Sequence, residues 1–182
     1  MVEVEIVHFF NELGRGTIID NISWLISYIP FLVVLVVILG AIIIGLDQKN
    51  WKTVIFALVV ALILHFIVSE FIFKYAVTSV IGVRDRPYVD NPGINVIGEK
   101  FSDSSFPSSH IAAVTAILFV VVWFYGWAII PAIIFGMIMA FSRMHNGMHY
   151  PSDLLFGFFL GIFYGLVGIY FSQNFGDQIF KM

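Results

Sequence analysis

Long stretches without a charged side chain are the feature that most constrains this chain. They cover residues 22–46, 53–69, 111–142 and 154–176, and a helix needs about 20 apolar residues to cross a bilayer. Only 12% of the 182 residues are charged, whereas a soluble domain carries about 25%. We therefore predict an all-α, multi-span transmembrane bundle that forms a single integral membrane domain over residues 1–182.

The run over residues 111–142 decides the number of spans. As one helix it would be about 48 Å long, at 1.5 Å per residue, and the hydrocarbon core is about 30 Å thick. Two helices joined near residues 125–127 fit better, so we expect about five spans. The other predicted segments are an interfacial helix over 2–13, a short apolar piece ending at Pro30, a polar turn at 47–50, a span from about 51 to 83, and a last span over 151–171 before a polar tail.

Between the second and third spans, residues 84–110 concentrate charged side chains, and Pro87 and Pro92 interrupt regular structure. This segment is predicted to be a loop outside the hydrocarbon. With five spans, it lies at the same membrane face as residues 142–153, so their polar side chains meet. Lys49, Lys52 and Lys181 fall on the other face, which the positive-inside rule assigns to the cytoplasm. The polar clusters are then expected on the extracytoplasmic face of the cell (inner) membrane.

The first cluster with chemical meaning is Pro107-Ser108-Ser109-His110. Serine is a favoured helix N-cap, and an apolar helical run follows. Free N–H groups and the positive end of the helix dipole favour a bound phosphate there. His110 could then protonate a leaving oxygen. Taken alone, the cluster would favour a serine cap beside an incidental interface histidine.

The second cluster is Ser142-Arg143-x5-His149-x3-Asp153. A helix that begins at Pro151 would bring Asp153 within reach of His149. A carboxylate on one ring nitrogen leaves the other free as a nucleophile. Arg143, together with Arg86 from the loop, offers planar donor groups that match phosphate oxygens. Because phosphoryl transfer depends mainly on positioning and charge neutralisation, these groups are sufficient in principle.

A competing hypothesis treats His145, His149 and Asp153 as metal ligands, because they recur every four residues. Gly147 and Pro151 interrupt the helix that this pattern would need, and arginines beside the histidines disfavour a cation. The chain has no cysteine, which excludes thiol nucleophiles and cysteine-based metal sites. A net charge of −3 provides no basic face for nucleic acid. No cofactor is predicted.

Together, Arg86-Pro87 and the two clusters resemble the three-part signature of the type 2 phosphatidic acid phosphatase family, which also includes vanadium haloperoxidases. The resemblance extends from about Arg84 to Asp153. It implies a metal-independent phosphatase in which His149 forms a phosphohistidine, Asp153 orients it and His110 is the general acid. By the same resemblance, the phosphate would be held by Arg86, Arg143, Ser108 and Ser109.

One part of the family pattern is missing. The family's first motif usually opens with a lysine seven residues before the arginine of Arg-Pro, and Ser79 occupies that position here. Arg84 is the nearest replacement in sequence, while Lys74 and Lys100 are less well placed.

Short bacterial members that act on undecaprenyl diphosphate have similar motifs and length, which favours a polyprenyl diphosphate as the membrane lipid substrate. Phosphatidate, phosphatidylglycerophosphate or lipid A phosphatases are alternatives within the class. A non-enzymatic anion-binding membrane protein or transporter is an alternative outside it, and a metal-dependent hydrolase is a third.

Overall fold

The computed structural model describes residues 2–180, apart from the side chains of residues 81 and 177–180, and every regular element in that part of the chain is helical. The elements are α1 (Val2–Glu12), α2 (Ile18–Ser27), α3 (Ile29–Leu46), α4 (Trp51–His65), which continues as a π-helix (Phe66–Val77), α5 (Thr78–Ile81), α6 (Pro87–Asp90), α7 (Ser109–Phe124), a 3-10 turn (Gly126–Ala128), α8 (Ile129–His145) and α9 (Pro151–Phe180).

Within residues 2–180, four helical stretches are long and apolar enough to cross a membrane: Ile29–Leu46, Trp51–Val80, Gly126–His145 and Pro151–Gly176. Helix α7 is shorter, with 16 residues. Just beyond its last residue, Tyr125 donates its hydroxyl proton to Asp47 in the α3–α4 turn at 2.8 Å. At its other end, the Ser108 N–H donates to the carbonyl oxygen of Asp153 at 3.2 Å. Helix α7 therefore extends from the α3–α4 turn to the start of α9, and the predicted helical membrane bundle is confirmed.

Glycines on α9 set the spacing between α9 and α7. A Cβ atom at Gly157 would come within 2.6 Å of the Ser108 carbonyl oxygen, and one at Gly161 within 2.6 Å of the Ala112 carbonyl oxygen. Small residues four apart let two membrane helices approach closely, and dispersion contacts then stabilise the pair. This packing fixes the first turn of α7 against the first turns of α9.

The N-terminal helices α1 and α2 pack against the end of α8. Asn11 in α1 donates its Nδ2 proton to the carbonyl oxygen of His145 at 2.6 Å, and Ser23 in α2 donates its hydroxyl proton to Asn146 Oδ1 at 2.8 Å. The helix expected over residues 2–13 is present as α1, with Val7 and Asn11 buried against the protein. Residues 2–27 therefore cover the end of the bundle where α8 stops.

Two helix boundaries differ from the sequence-based expectation. The short apolar piece expected to end at Pro30 is α2, which ends at Ser27. Pro30 instead lies in the first turn of α3, where the missing N–H of proline costs no hydrogen bond. Helix α9 continues beyond residue 171 to Phe180, so the expected end at 171 was wrong. Polar residues do not stop a helix that is already formed, and Asn174 donates to the Tyr170 carbonyl oxygen at 2.8 Å. The π-helix was not foreseen, and Lys181 lies outside the described residues.

Candidate active site

The loop between α5 and α7 meets the ends of α8 and α9 at one end of the bundle. Arg86, which precedes α6, and Arg143, in the last turn of α8, are each 5% exposed. His149 lies between α8 and α9 and is 3% exposed. Arg86 donates from Nη1 to the carbonyl oxygen of Met148 at 3.2 Å. The structure thus brings the Arg-Pro arginine next to the segment that carries His149.

His149 is held in one tautomer by the main chain. Its Nδ1 lies 2.7 Å from the carbonyl oxygen of Ser105, and a carbonyl oxygen only accepts hydrogen bonds, so Nδ1 carries the proton. Nε2 of the neutral ring then has a free lone pair. Burial, followed by the charges of Arg143 and Arg86, holds the pKa of His149 well below its usual value. The ring is therefore neutral near pH 7.

Asp153 supports the chain beside His149. Its Oδ2 accepts the Tyr150 N–H at 2.8 Å, and its Oδ1 pairs with Arg84 Nη1 at 2.5 Å. Oδ2 is also 3.8 Å from His149 Nδ1, which is too long for a hydrogen bond but close enough for electrostatic attraction. The carboxylate therefore faces His149 Nδ1, but the hydrogen bond from Nδ1 goes to the Ser105 carbonyl oxygen.

The start of α7 leaves hydroxyl groups without partners. Ser108 occupies the N-cap position as expected, but its side chain makes no capping hydrogen bond. Ser108 Oγ and Ser109 Oγ are buried and accept or donate no hydrogen bond among the described residues, although Ser109 lies close to the Glu70 carboxylate. The same is true of the Nε atoms of Arg86 and Arg143. Buried donors without acceptors are costly, and an anion with several oxygens would satisfy them.

His110, in the first turn of α7, contacts the N-terminal part of the chain. Its Nε2 lies 2.9 Å from the carbonyl oxygen of Ser27 at the end of α2, so Nε2 donates. Helix α2 therefore orients a predicted catalytic side chain, a role that the sequence did not indicate.

Arg84 has partners other than a phosphate in this structure. Its guanidinium pairs with Asp153 and, at 2.8 Å, with Glu3 in α1, and it stacks on the Tyr150 ring at 4.4 Å. Ser79, at the position of the missing lysine, is exposed and donates to the Ala76 carbonyl oxygen at 2.7 Å. Arg84 is thus placed on the Asp153 side of the site.

Sequence reasoning missed Asp103. Its Oδ1 is 2.5 Å from Arg86 Nη2 and its Oδ2 is 3.0 Å from Lys74 Nζ. It is one of several acids in a charged loop, and only its position four residues before Pro107 sets it apart in the sequence. The carboxylate joins two cations that come from different parts of the chain.

In the alternative metal set, His145 points away from His149 and Asp153. Both ring nitrogens of His145 are engaged at the N-terminal helices, with Nδ1 2.8 Å from the Phe10 carbonyl oxygen and Nε2 3.0 Å from Asp20 Oδ1. His149 instead faces Ser105. Among the described residues, no group of three or more histidine and acidic side chains has an arrangement that could hold a metal ion.

The chain matches one family model and is similar to two Bacillus proteins over most of its length. A family model described as the PAP2 superfamily matches residues 51–177. The bacitracin transport permease protein BcrC of Bacillus licheniformis is 26% identical over 168 residues, covering 88% of this chain and 76% of its own length. The undecaprenyl-diphosphatase BcrC of Bacillus subtilis 168 is 26% identical over 162 residues, covering 87% and 78%.

Among solved structures, the crystal structure of Aquifex aeolicus LpxE resembles this chain with a TM-score of 0.69 and 20% sequence identity. The match covers 93% of this chain and 96% of LpxE. At this identity the comparison shows a shared fold. The family match, in turn, includes every residue from Lys74 to Asp153 that the site brings together.

Proposed function

The chain belongs to the PAP2 superfamily and is a membrane-embedded lipid phosphatase, and from that premise we propose that it removes the terminal phosphate of a polyprenyl diphosphate. The observation that carries the proposal is the state of the His149 ring. The ring is neutral and donates from Nδ1 to Ser105, which leaves Nε2 as a nucleophile next to two buried arginines.

In the proposed first step, His149 Nε2 attacks the terminal phosphorus. A P–N bond forms while the bond from phosphorus to the bridging oxygen breaks, and the lipid monophosphate leaves. For this step His110 carries a second proton on Nδ1, which the negative charge of the bound diphosphate favours, and it gives that proton to the leaving oxygen while Nε2 keeps its proton on the Ser27 carbonyl oxygen. In the second step, water attacks the phosphohistidine, His110 takes a proton from the water, and inorganic phosphate is released while Nε2 regains its lone pair.

Charge neutralisation comes from the chain itself in this proposal. Arg86 and Arg143 match the phosphate oxygens, and their Nε atoms have no other acceptor among the described residues. The hydroxyls of Ser108 and Ser109 and the first N–H groups of α7 supply further donors. Phosphoryl transfer is promoted chiefly by such positioning and electrostatics. The proposed mechanism therefore needs no metal ion or cofactor.

The relatives support the choice of substrate. The Bacillus subtilis relative is named an undecaprenyl-diphosphatase and matches most of this chain, which favours an undecaprenyl or similar diphosphate over phosphatidate, phosphatidylglycerophosphate or lipid A. The Bacillus licheniformis relative is named a transport permease protein. The experiment below therefore also tests the non-enzymatic alternative.

The proposed location is the extracytoplasmic face of the cell membrane. Lys49 and Lys52 lie at the α3–α4 turn, which α7 separates from the site by its whole length. The positive-inside rule assigns that turn to the cytoplasm. The substrate head group would then reach Arg86 and Arg143 from the extracytoplasmic surface of the cell membrane, while the polyprenyl tail stays in the bilayer.

The proposal is tested by phosphate release from undecaprenyl diphosphate, phosphatidate and phosphatidylglycerophosphate. Detergent-purified protein is assayed with excess EDTA, beside His149→Ala. We expect undecaprenyl diphosphate to be the preferred lipid, with turnover that survives EDTA and disappears in the variant. With a substrate labelled in its terminal phosphate, acid-labile label should remain on the wild-type protein only. No release from any of the three lipids would favour an anion-binding protein, equal turnover by His149→Ala would rule out His149 as the nucleophile, and loss with EDTA would favour a metal-dependent hydrolase.

A further inference from the structure

Four charged side chains form a continuous series from the π-helix to Arg86. Lys74 Nζ is 2.6 Å from Glu70 Oε2 and 3.0 Å from Asp103 Oδ2. The other oxygen of Asp103 is 2.5 Å from Arg86 Nη2. One carboxylate thus holds a lysine and an arginine at the same time, and its side chain is 33% exposed. A solute that reaches Asp103 also reaches both cations.

Lys74 lies in a segment where a lysine is costly. It belongs to the apolar stretch Trp51–Val80, and an ionised side chain there requires partners or a function. Glu70, one turn earlier, already neutralises it. The π-helix over Phe66–Val77 that carries both residues is itself an unusual element that is frequent at functional sites. An ion pair of Lys74 and Glu70 with a structural role alone would not need the second carboxylate, which Asp103 supplies from the loop.

The carboxylate of Asp103 lies among the groups proposed for catalysis. It is close enough to Arg143 and His149 to interact electrostatically with both, and Lys74 is close enough to His110 to do the same. Asp103 is therefore an anion in contact with Arg86 and Lys74 and near Arg143. A phosphate group has more oxygens and more charge than a carboxylate, so it can take over these contacts.

We propose that Lys74 is a phosphate-binding residue of this site and that Asp103 is the resident counter-anion that the substrate's phosphate displaces. The inference rests on the proposed function and names a residue of the same site. As phosphate binds, Lys74 Nζ and Arg86 Nη2 exchange the Asp103 oxygens for phosphate oxygens. Ser79 is exposed and carries no cation, so Lys74 is the side chain that supplies positive charge from this part of the chain.

The test is the competitive inhibition constant of inorganic phosphate for Lys74→Met, with kcat and KM measured for the lipid diphosphate. Loss of a charged hydrogen bond of about 1.5–3 kcal/mol should raise both the inhibition constant and KM about 10- to 100-fold. Lys74→Arg should restore part of this affinity. The control Lys49→Met removes an exposed lysine at the opposite end and should leave both constants unchanged. A purely structural role would lower thermal stability without changing phosphate affinity.

Asp103→Asn provides a second measurement that does not depend on the folding of the lysine variant. The amide keeps the shape of the side chain but loses the competing charge, so inorganic phosphate should bind several-fold more tightly. Unchanged or weaker phosphate binding by Asp103→Asn would contradict the proposal that phosphate displaces the Asp103 carboxylate. His149→Ala, assayed in parallel, separates the two proposals. If it retains turnover, the proposed function fails; if it is inactive while Lys74→Met binds phosphate like the wild type, only the inference about Lys74 fails.

Discussion

His149 donates its Nδ1 proton to the carbonyl oxygen of Ser105 at 2.7 Å. Ser105 lies in the loop that leads into α7, so the same segment that presents Ser108 and His110 also fixes the orientation of His149. A main-chain acceptor cannot become protonated in the working pH range. In the neutral ring, the tautomer that leaves the lone pair on Nε2 is therefore set by the backbone.

The first prediction concerns the titration of His149. Burial and the neighbouring arginine charges lower its pKa well below the usual value of about 6.5. The ring should stay neutral as pH falls through 6.5 and gain a proton only in more acidic solution, where nucleophilic attack stops. Nitrogen-15 NMR of histidine-labelled protein measures this midpoint directly, and His149→Gln assigns the signal. A midpoint at or above 6.5 would show that burial and the arginine charges do not lower the pKa of this ring.

A second prediction distinguishes the contribution of Asp153 to kcat from that of His149. Asp153→Asn keeps an oxygen for the Tyr150 N–H but loses the charge that faces Arg84 and His149. Removing one charged contact of about 1.5–3 kcal/mol should lower kcat about 10- to 100-fold. His149→Ala should lower it by at least about a thousandfold, because the nucleophile is gone.

The matched control for Asp153→Asn is Asp90→Asn, since Asp90 is exposed at the end of α6, and its activity should equal that of the wild type. Equal losses for Asp153→Asn and His149→Ala would mean that Asp153, rather than Ser105, controls the ring.

The sequence was sufficient to predict that the polar clusters lie at helix ends. Charged groups are expelled from hydrocarbon, and the 32 uncharged residues from 111 to 142 exceed the thickness of one bilayer, so a break near 125–127 was required. The start of α7 at Ser109 and the start of α9 at Pro151 follow from local capping rules.

The partners of these clusters could not be predicted in the same way, because they depend on contacts between segments that are distant in sequence. Arg84 was the nearest cation to the missing lysine, yet it pairs with Glu3, 81 residues away. The contact of His110 with Ser27 spans 83 residues and requires that α2 pack against α8. No local pattern indicated the π-helix that brings Lys74 to Asp103.

A third prediction concerns the spacing of α7 and α9. A Cβ at Gly161 would lie 2.5 Å from the Thr115 Cβ and 2.6 Å from the Ala112 carbonyl oxygen, so Gly161→Ala must push the helices apart. Overpacking of this kind costs about 1–3 kcal/mol and should lower the thermal unfolding temperature in detergent. Gly45 in α3 has no heavy atom within 4 Å of its Cβ position, so Gly45→Ala should be neutral or slightly stabilising. Equal effects of the two substitutions would contradict the close α7–α9 contact.

The last prediction distinguishes the two arginines of the loop. Arg86 is 5% exposed, its Nε has no hydrogen-bond partner among the described residues, and its Nη2 donates to the Asp103 carboxylate, which we propose that phosphate displaces. Arg84 is held by the carboxylates of Glu3 and Asp153. Arg86→Gln should therefore weaken the competitive binding of inorganic phosphate about 10- to 100-fold, the loss expected for one charged hydrogen bond of about 1.5–3 kcal/mol.

Arg84→Gln should leave phosphate binding within about twofold of the wild type and act mainly on kcat, because Asp153 loses its ionic partner beside His149. Inhibition constants for phosphate and kcat, measured on both variants with the same lipid diphosphate, decide the matter. If Arg84→Gln weakened phosphate binding as much as Arg86→Gln, the Arg84 guanidinium would have to leave Glu3 and Asp153 when substrate binds. The first motif's missing lysine would then be replaced by Arg84 rather than by Lys74.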